Sequence, residues 1–237
     1  MSLDYIEKNL TAITERIRAA ETKAGREAGS VTMIAAVKYA EDDEIRELCR
    51  LGVRELGENR VQQLLAHYEA LGEEREKVKF HFIGSLQTNK VKYIVDKVTL
   101  IHSLDSLRLA DEIEKQAAKH GIVMDVLVEI NSGEEENKGG LAPSEVEDFC
   151  RQLEKYSHLR LCGFMTMAPK CDEKAEYLKY FQQTYKQVLD IWTKKLHNIN
   201  RTEKPLLSMG MSESFEEAIA SGSDLVRIGR SLFSGRE

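Results

Sequence analysis

A lysine closes the first apolar run of the chain. Residues 32–37 (TMIAAV) carry no charge, and Lys38 follows them directly. A short run of this composition predicts a buried strand, so the amine of Lys38 stands at the mouth of an apolar strand and is partly desolvated. Desolvation favours the neutral amine, which is the nucleophile that forms Schiff bases with carbonyl compounds. A lysine that extends its ammonium past the strand into water is the alternative interpretation.

The segment at 207–219, LSMGMSESFEEAI, is a second feature with chemical potential. Its pattern predicts a strand, a turn at Gly210 and a helix that Ser212 or Ser214 caps. Hydroxyls and free backbone N–H groups at such a turn bind anions, phosphate in particular. Gly229, which follows the last apolar run, lets the backbone approach a ligand closely. An ordinary turn and cap, which contributes about 1 kcal/mol of stability, is the alternative.

Arg227 lies inside the last apolar run, and its side chain points away from the face that its neighbours share. If it points inward, its charge requires a ligand or a carboxylate; if outward, it pairs with a neighbouring helix. A nucleophilic lysine, a phosphate site and an inward cation together suit one cofactor, pyridoxal phosphate (PLP), which carries an aldehyde, a phosphate and a ring nitrogen. An arginine beside that nitrogen leaves it unprotonated and weakens the ring as an electron sink.

The elements that must position these residues alternate along the chain. Apolar segments predict eight strands, at 32–37, 55–57, 80–84, 99–103, 125–130, 159–165, 205–209 and 225–228. Helical segments follow at 41–51, 60–71, 88–95, 106–120, 143–156, 172–196 and 214–221, and a further helix precedes the first strand and extends to about residue 29. This alternation over 237 residues predicts an α/β protein, a (β/α)8 TIM barrel formed by one domain over 1–237. A doubly wound open sheet is the alternative.

In a (β/α)8 barrel, functional residues lie on the loops that follow the strands. Lys38 ends the first predicted strand, Asn59 follows the second, and Gly229 follows the eighth. We therefore expect these residues to meet on one rim of the barrel. His81 and His102 lie in or beside predicted strands, and we expect them to be hydrogen-bonded barrel histidines rather than ligands.

Composition excludes several classes of protein. Lys plus Arg is 34 and Asp plus Glu is 40, which gives a net charge of −6 and argues against a nucleic-acid partner. We expect no membrane span and no signal peptide, because no apolar stretch is long enough for either. The four cysteines show no CxxC spacing, so we expect free thiols in a reducing cytoplasm and no metal site. We also expect a monomer, since no large apolar face is left over.

These motifs together resemble those of the pyridoxal phosphate homeostasis proteins, single-barrel relatives of the alanine racemase N-terminal domain. The matching stretches span nearly the whole chain: AAVK at 35–38, GEN at 57–59, HFIGSLQTNK at 81–90, SLD at 103–105, EINSGEEENKGGL at 129–141, GFMTMAP at 163–169, LSMGMSESFEEAI at 207–219 and VRIG at 226–229. The resemblance implies PLP bound as a Schiff base, no robust catalytic turnover, and a role in vitamin B6 and amino-acid homeostasis, with PLP-dependent apo-enzymes as candidate recipients of the cofactor.

The resemblance also implies a role for each site residue. Lys38 is the implied Schiff-base lysine, Asn59 a pocket residue near the cofactor ring, and Arg227 the residue that faces the pyridine nitrogen. The implied phosphate cup consists of Ser208, Ser212 and the backbone at Gly229.

Some positions depart from the usual residues of the family. Val37 and Tyr39 stand where Ser and Thr are usual, and Arg60 stands where Tyr is usual. By alternation, Val37 and Tyr39 should point away from Lys38, so we expect a changed pocket wall and not the loss of the Schiff base. Arg60 therefore replaces the usual tyrosine at the rim with a cationic side chain. The segment LFSGRE at 232–237 also differs from the usual aromatic or Leu-Phe-Gly ending.

Two enzymatic alternatives share the barrel. A racemase needs a base on each face of the substrate α-carbon. Lys38 supplies one, whereas in the resembled racemases the other is a tyrosine of a second domain. Only nine residues follow Ile228 here, so we expect no counterpart of that tyrosine. A Schiff-base aldolase would use Lys38 and the phosphate cup on a phosphorylated sugar, without a bound chromophore. The family motifs argue against the aldolase.

Overall fold

Eight parallel strands close into a barrel. The computed structural model of the chain describes residues 3–135, 139–194 and 201–236. The strands follow chain order around the barrel: β1 (Thr32–Ala36), β2 (Glu55–Glu58), β3 (Lys79–Phe82), β4 (Leu100–Leu104), β5 (Met124–Ile130), β6 (Leu159–Thr166), β7 (Arg201–Met211) and β8 (Leu225–Ile228). β8 pairs with β1 from Thr32↔Leu225 to Ala35↔Ile228. The predicted barrel is confirmed, and the open-sheet alternative is wrong because this last pairing closes the sheet.

Helices connect the strands. Within the described ranges the α-helices are α1 (Asp4–Lys23), α2 (Asp42–Arg50), α3 (Val61–Ala70), α4 (Leu107–His120), α5 (Val146–Gln152), α6 (Lys174–Thr193) and α7 (Phe215–Ala220). Short 3₁₀ helices cover Gly72–Lys77, Thr88–Tyr93, Pro143–Glu145 and Leu153–Lys155. The extra helix α1 is confirmed. It packs against α7 and α2, and so lies beside the seam where β8 meets β1.

Several boundaries differ from the predictions. α1 ends at Lys23, well before Gly29, because the chain turns at Gly25, where φ is +67°. The predicted helix at 88–95 is a 3₁₀ helix, and β7 is longer than predicted at both ends. β1 ends at Ala36, one residue early. The predicted end of the long helix, at 195–196, lies outside the described residues.

The barrel interior is part apolar and part polar. A small cluster joins side chains from strands on opposite sides of the barrel, which places it inside: Ile34, Leu100, Leu127, Cys162, Met165 and Leu225. A larger cluster packs the outer face of the sheet against the helices. Arg227 pairs in register with Ile34, and His81 with Leu100. Since paired residues of a parallel sheet point to the same face, both polar side chains enter the barrel.

The described part of the chain has no helix long and apolar enough to cross a membrane. It also holds no cluster of three or more potential metal-ligating side chains. Cys150 and Cys162 are buried, and burial raises the pKa of each thiol to about 12. Both sulfurs therefore stay protonated at neutral pH and pack as small apolar groups.

Candidate functional site

Four of the predicted site residues lie on one sector of the rim, where the carboxyl ends of β7, β8, β1 and β2 stand side by side. Lys38 lies two residues after β1, and Asn59, Ser212 and Gly229 each follow a strand directly. All four are half-buried. The pairing of neighbouring strands places the ends of these strands at similar heights on the barrel: Ala36 pairs with Gly57, Ala35 with Ile228 and Met211 with Arg227. The structure thus brings these four residues together at one edge of the barrel.

Lys38 occupies a turn whose backbone is held by β2 and α3. The N–H of Val37 donates to the carbonyl of Gly57 at 3.0 Å, which continues the sheet for one residue. The carbonyl of Lys38 accepts a hydrogen bond from Nε2 of Gln63 at 2.7 Å. These contacts fix the main chain of the turn and leave the amine of Lys38 available at the rim.

The structure corrects the prediction that Tyr39 points away from Lys38. Nζ of Lys38 lies 4.9 Å from the centroid of the Tyr39 ring, within the range of a cation–π contact. Alternation fails here because the chain leaves the strand at Ala36, so the residues beyond it no longer point to alternate faces. Val37 is buried as expected, whereas Tyr39 is 71% exposed. The ring therefore shields one side of the amine from the solvent.

A buried carboxylate braces the turn that carries Lys38. Glu44 of α2 is 4% exposed, and it accepts hydrogen bonds from Nε of Arg236 at 2.8 Å and from the hydroxyl of Tyr5. Arg236 also donates to the carbonyl of Tyr39 at 3.0 Å. The turn is thus tied to α1, to α2 and to the segment after β8. This contact gives the unusual ending LFSGRE a structural role that the sequence did not reveal.

The loops after β7 and β8 meet at Ser212. Its hydroxyl accepts a hydrogen bond from the N–H of Ser231 at 3.3 Å. A Cβ placed on Gly229 would lie 3.0 Å from the carbonyl oxygen of Ala36 and 3.2 Å from its Cβ. The glycine therefore lets the end of β8 pack closely against the end of β1, beside the Lys38 turn.

The predicted helix cap is confirmed in position only. Ser214 is the N-cap residue of α7, but its side chain makes no capping hydrogen bond, and its hydroxyl accepts from the N–H of Met211 at 3.3 Å instead. α7 has only six residues. The anion-binding capacity of this region therefore rests on the Ser212 hydroxyl and on the loop backbone, and not on a helix terminus.

Asn59 packs against Gly84, which lies two residues after the end of β3. A Cβ on Gly84 would lie 2.2 Å from the carbonyl oxygen of Asn59 and 2.7 Å from its Cα. No real Cβ approaches a backbone that closely, so a side chain at position 84 would require the main chain of Asn59 to move.

Ser208 does not lie with Ser212 at the rim. It pairs with Leu225, the first residue of β8, and it is fully buried. Its hydroxyl accepts from Nη1 of Arg227 at 2.7 Å and lies 3.0 Å from Nδ1 of His102. The predicted place of Ser208 in a phosphate cup is therefore corrected: its side chain is committed to Arg227 and His102 inside the barrel.

Arg227 points into the barrel, so the outward alternative is wrong. It is 4% exposed. Nη1 also donates to the carbonyl of Ser208 at 2.8 Å, and Nη2 donates to the carbonyl of Thr166 at 3.0 Å. The guanidinium thus lies below the rim sector that carries Lys38 and Gly229.

Glu129 of β5 is a buried carboxylic acid that the sequence analysis missed. Burial and the neighbouring Asp105 raise its pKa to about 7, and the charge of Arg227 opposes that rise. It is 5% exposed. Its position between Val128 and Ile130 in an apolar strand was the available signal, because an ionisable residue inside such a strand points into the barrel or out against a helix.

The raised pKa of Glu129 predicts a pH-dependent stability. Between about pH 4.5 and 7 the folded protein holds a proton that the unfolded chain releases, so the folded state loses stability as the pH rises through this range. In wild type, we expect the free energy of unfolding to fall by roughly 2–3 kcal/mol over this range, since one pKa unit corresponds to about 1.4 kcal/mol. Glu129→Gln should abolish this decrease. Urea unfolding at pH 5 and pH 8 measures it. The exposed Glu154→Gln serves as control, and an equal pH dependence in wild type and Glu129→Gln would contradict the assignment.

Two histidines extend the polar interior beyond Ser208. Nε2 of His102 lies 3.0 Å from Nδ1 of His81, and Nε2 of His81 lies 2.7 Å from a carboxylate oxygen of Glu55. Both rings are buried. The interpretation of His81 and His102 as hydrogen-bonded barrel histidines is confirmed.

Comparison with known proteins agrees with this geometry. Residues 8–237 match the family model described as alanine racemase, N-terminal domain. The chain is 41% identical over 230 residues to the pyridoxal phosphate homeostasis protein of Aquifex aeolicus, covering 97% of this chain and 98% of that protein. The chain belongs to the family of pyridoxal phosphate homeostasis proteins.

Solved structures show the same fold in this family. A protein from Bifidobacterium adolescentis superposes with a TM-score of 0.89 at 32% identity, covering 98% of this chain and 95% of that one. PipY of Synechococcus elongatus PCC7942, solved with PLP bound, superposes with a TM-score of 0.79 at 28% identity, covering 94% of this chain and 100% of that one. The family assignment made from the sequence motifs is therefore confirmed.

Proposed function

We propose that this chain binds pyridoxal 5′-phosphate as a Schiff base on Lys38 and acts in PLP and amino-acid homeostasis without robust catalytic turnover. The observation that carries the proposal is the convergence of the Lys38 turn, Asn59, Ser212 and Gly229 on one rim sector above Arg227. The family membership of the chain and the PLP-bound structure of PipY support the choice of ligand.

The residues of the rim sector fit the aldehyde and the phosphate of PLP. The amine of Lys38 stands on a turn whose backbone is fixed, as a nucleophile for the aldehyde requires. Because Gly229 has no side chain, the backbone after β8 packs closely against Ala36 at the end of β1, beside the Lys38 turn. We assign the phosphate to this backbone and to the hydroxyl of Ser212, and no longer to Ser208.

We assign the ring nitrogen of PLP to Arg227. Both terminal nitrogens of its guanidinium bond to protein oxygens of Ser208 and Thr166, which leaves the N–H on Nε and one N–H on Nη2 for a ligand. When bound, PLP supplies an aldehyde for amines and a ring that accepts electrons best when its nitrogen is protonated. An arginine donor keeps that nitrogen unprotonated, which favours retention of the cofactor over carbanion chemistry.

We further propose that residues 1–237 form a single cytoplasmic, monomeric PLP-binding domain that supplies PLP-dependent apo-enzymes. The racemase alternative still requires a base on the face opposite Lys38. Tyr39 lies beside Lys38 on the same turn, and is therefore not placed as that opposite base.

The absorption spectrum of the purified protein tests the proposal. We expect a yellow chromophore that borohydride fixes covalently, with the added mass mapped to the peptide that contains Lys38. Racemase assays on the same sample distinguish a carrier from an enzyme. A colourless protein that does not take up added PLP would overturn the proposal and leave the aldolase as the function to test.

Gly84→Ala tests the placement of Asn59. The added methyl group requires the Asn59 backbone to move, so we expect PLP to bind about tenfold more weakly, a loss of about 1.4 kcal/mol. Gly72→Ala is the control, because position 72 has a positive φ, +54°, and open space around it. It should lose stability without losing affinity. Equal PLP affinity in the two variants, measured by fluorescence titration, would show that Asn59 does not shape the pocket.

A further inference from the structure

A continuous chain of hydrogen bonds crosses the barrel from Arg227 to Glu55. Its links join Nη1 of Arg227 to Oγ of Ser208 (2.7 Å), Oγ of Ser208 to Nδ1 of His102 (3.0 Å), Nε2 of His102 to Nδ1 of His81 (3.0 Å), and Nε2 of His81 to Oε2 of Glu55 (2.7 Å). Glu55 is the first residue of β2, so it lies toward the opposite mouth of the barrel. There it also pairs with the exposed Lys79 at 2.9 Å.

The chemistry of Arg227 fixes the direction of every link. A guanidinium only donates, so the Ser208 oxygen accepts from it. Within its described contacts, Ser208 then has one acceptor for its own proton, Nδ1 of His102. That nitrogen is therefore unprotonated, and Nε2 of His102 carries the proton that it donates to His81. His81 in turn donates from Nε2 to the carboxylate of Glu55.

The surroundings of the hydrogen-bond chain agree with this direction of donation. Burial first, and then the neighbouring His81 and Arg227, lower the pKa of His102 well below its ordinary value, so this ring is neutral. Burial raises the pKa of Glu55, but hydrogen bonds from His81 and Lys79 outweigh it, and the pKa lies below its ordinary value. The chain thus joins a buried cation to a carboxylate through two neutral rings and a hydroxyl.

We infer that Ser208 and His102 are positioning residues that orient the guanidinium of Arg227 toward the PLP ring. Glu55, on the far side of the barrel, contributes to this orientation through the chain of hydrogen bonds. The inference rests on the proposed function. Since the proton of Ser208 points to His102, a lone pair of its oxygen points to Arg227. Loss of the serine hydroxyl or of the carboxylate charge therefore weakens the orientation of Arg227 without touching the cofactor.

Histidine tautomers in the protein without PLP give the first test. Two-bond ¹H–¹⁵N correlation spectra at pH 7 should show His81 and His102 both neutral, each protonated on Nε2. A doubly protonated His81, or a His102 protonated on Nδ1, would overturn the inferred direction. This measurement needs no cofactor, so its outcome is independent of whether the proposed function holds.

The loaded protein gives the second test, with PLP as the probe. We expect Ser208→Ala to bind PLP about tenfold more weakly and Glu55→Gln a few-fold more weakly, each with a shifted absorption maximum. Glu114→Gln is the matched control, because Glu114 pairs with His158 at 2.9 Å outside the barrel, and it should leave affinity and spectrum unchanged.

The two failures are distinguishable. If Ser208→Ala and Glu55→Gln lower the melting temperature but leave the PLP affinity and the absorption maximum of wild type, the chain has a structural role only and the inference is wrong. If Ser208→Ala does not fold, the PLP affinity and spectrum of Glu55→Gln decide the inference. This variant should fold, because the glutamine retains an oxygen that accepts the hydrogen bond from His81. If wild type itself binds no PLP, the proposed function fails while the tautomer measurement still stands.

Discussion

Replacement of Lys38 by alanine is expected to abolish the retention of PLP. The substitution removes the amine that forms the covalent bond and leaves only the Ser212 hydroxyl, the loop backbone and Arg227 to hold the ligand. We expect the dissociation constant to rise by at least about 100-fold, which corresponds to about 2.8 kcal/mol. The yellow band should be absent after gel filtration, and titration with PLP followed by tyrosine and tryptophan fluorescence should give the weakened affinity.

Lys92→Ala is the matched control for Lys38→Ala. Nζ of Lys92 also lies 4.9 Å from the ring of the adjacent tyrosine, Tyr93, but this lysine is exposed on the 3₁₀ helix after β3. It should keep the wild-type spectrum. A Lys38→Ala protein that retains its colour through desalting, or a borohydride adduct that maps to another lysine, would show that Lys38 is not the anchor.

Arg227→Met is expected to cause the largest loss of stability. Methionine fills much of the volume but provides no N–H donor for the carbonyl of Thr166 or for Ser208. It also removes the positive charge that lowers the pKa of Glu129. Removing one partner of a buried charge network typically costs about 3–5 kcal/mol. Urea unfolding at pH 7 should show a decrease of this size in the free energy of unfolding.

Arg160→Met is the control for that loss. Arg160 bonds to Asp125 through two nitrogens at 2.7 Å, but its side chain is 47% exposed. Exposed ion pairs contribute about 0–1 kcal/mol to stability, so Arg160→Met should lower the free energy of unfolding only slightly. If Arg227→Met were as stable as Arg160→Met, the buried network would carry no net stabilisation, and the guanidinium would be placed for the ligand alone.

The barrel was predictable because its signals are local. Each apolar run and each helical stripe shows in a window of about a dozen residues, and β8 was located to the residue at 225–228. Lys38, Asn59, Ser212 and Gly229 followed from the same signals, because parallel strands in a barrel present their carboxyl ends on one rim.

The errors arose where contacts distant in sequence decide. Ser208 was assigned to the rim from its motif, but Arg227 and His102, 106 residues earlier, engage its hydroxyl. The brace between Glu44 and Arg236 joins residues 192 apart, and nothing in either local sequence marks it. Tyr39 was misplaced for a different reason: alternation was extended past the end of β1, where the backbone no longer follows a strand.

The seam between β8 and β1 has a consequence for synthesis of the protein. The lysine follows the first strand, whereas Gly229 follows the last, about 190 residues later. A nascent chain that still lacks β7 and β8 carries the nucleophile but has no site for the phosphate. Bringing such distant segments together is entropically unfavourable until the whole sheet closes. The proposed ligand would therefore select finished barrels alone and stabilise them by mass action, so that loading would report that folding is complete.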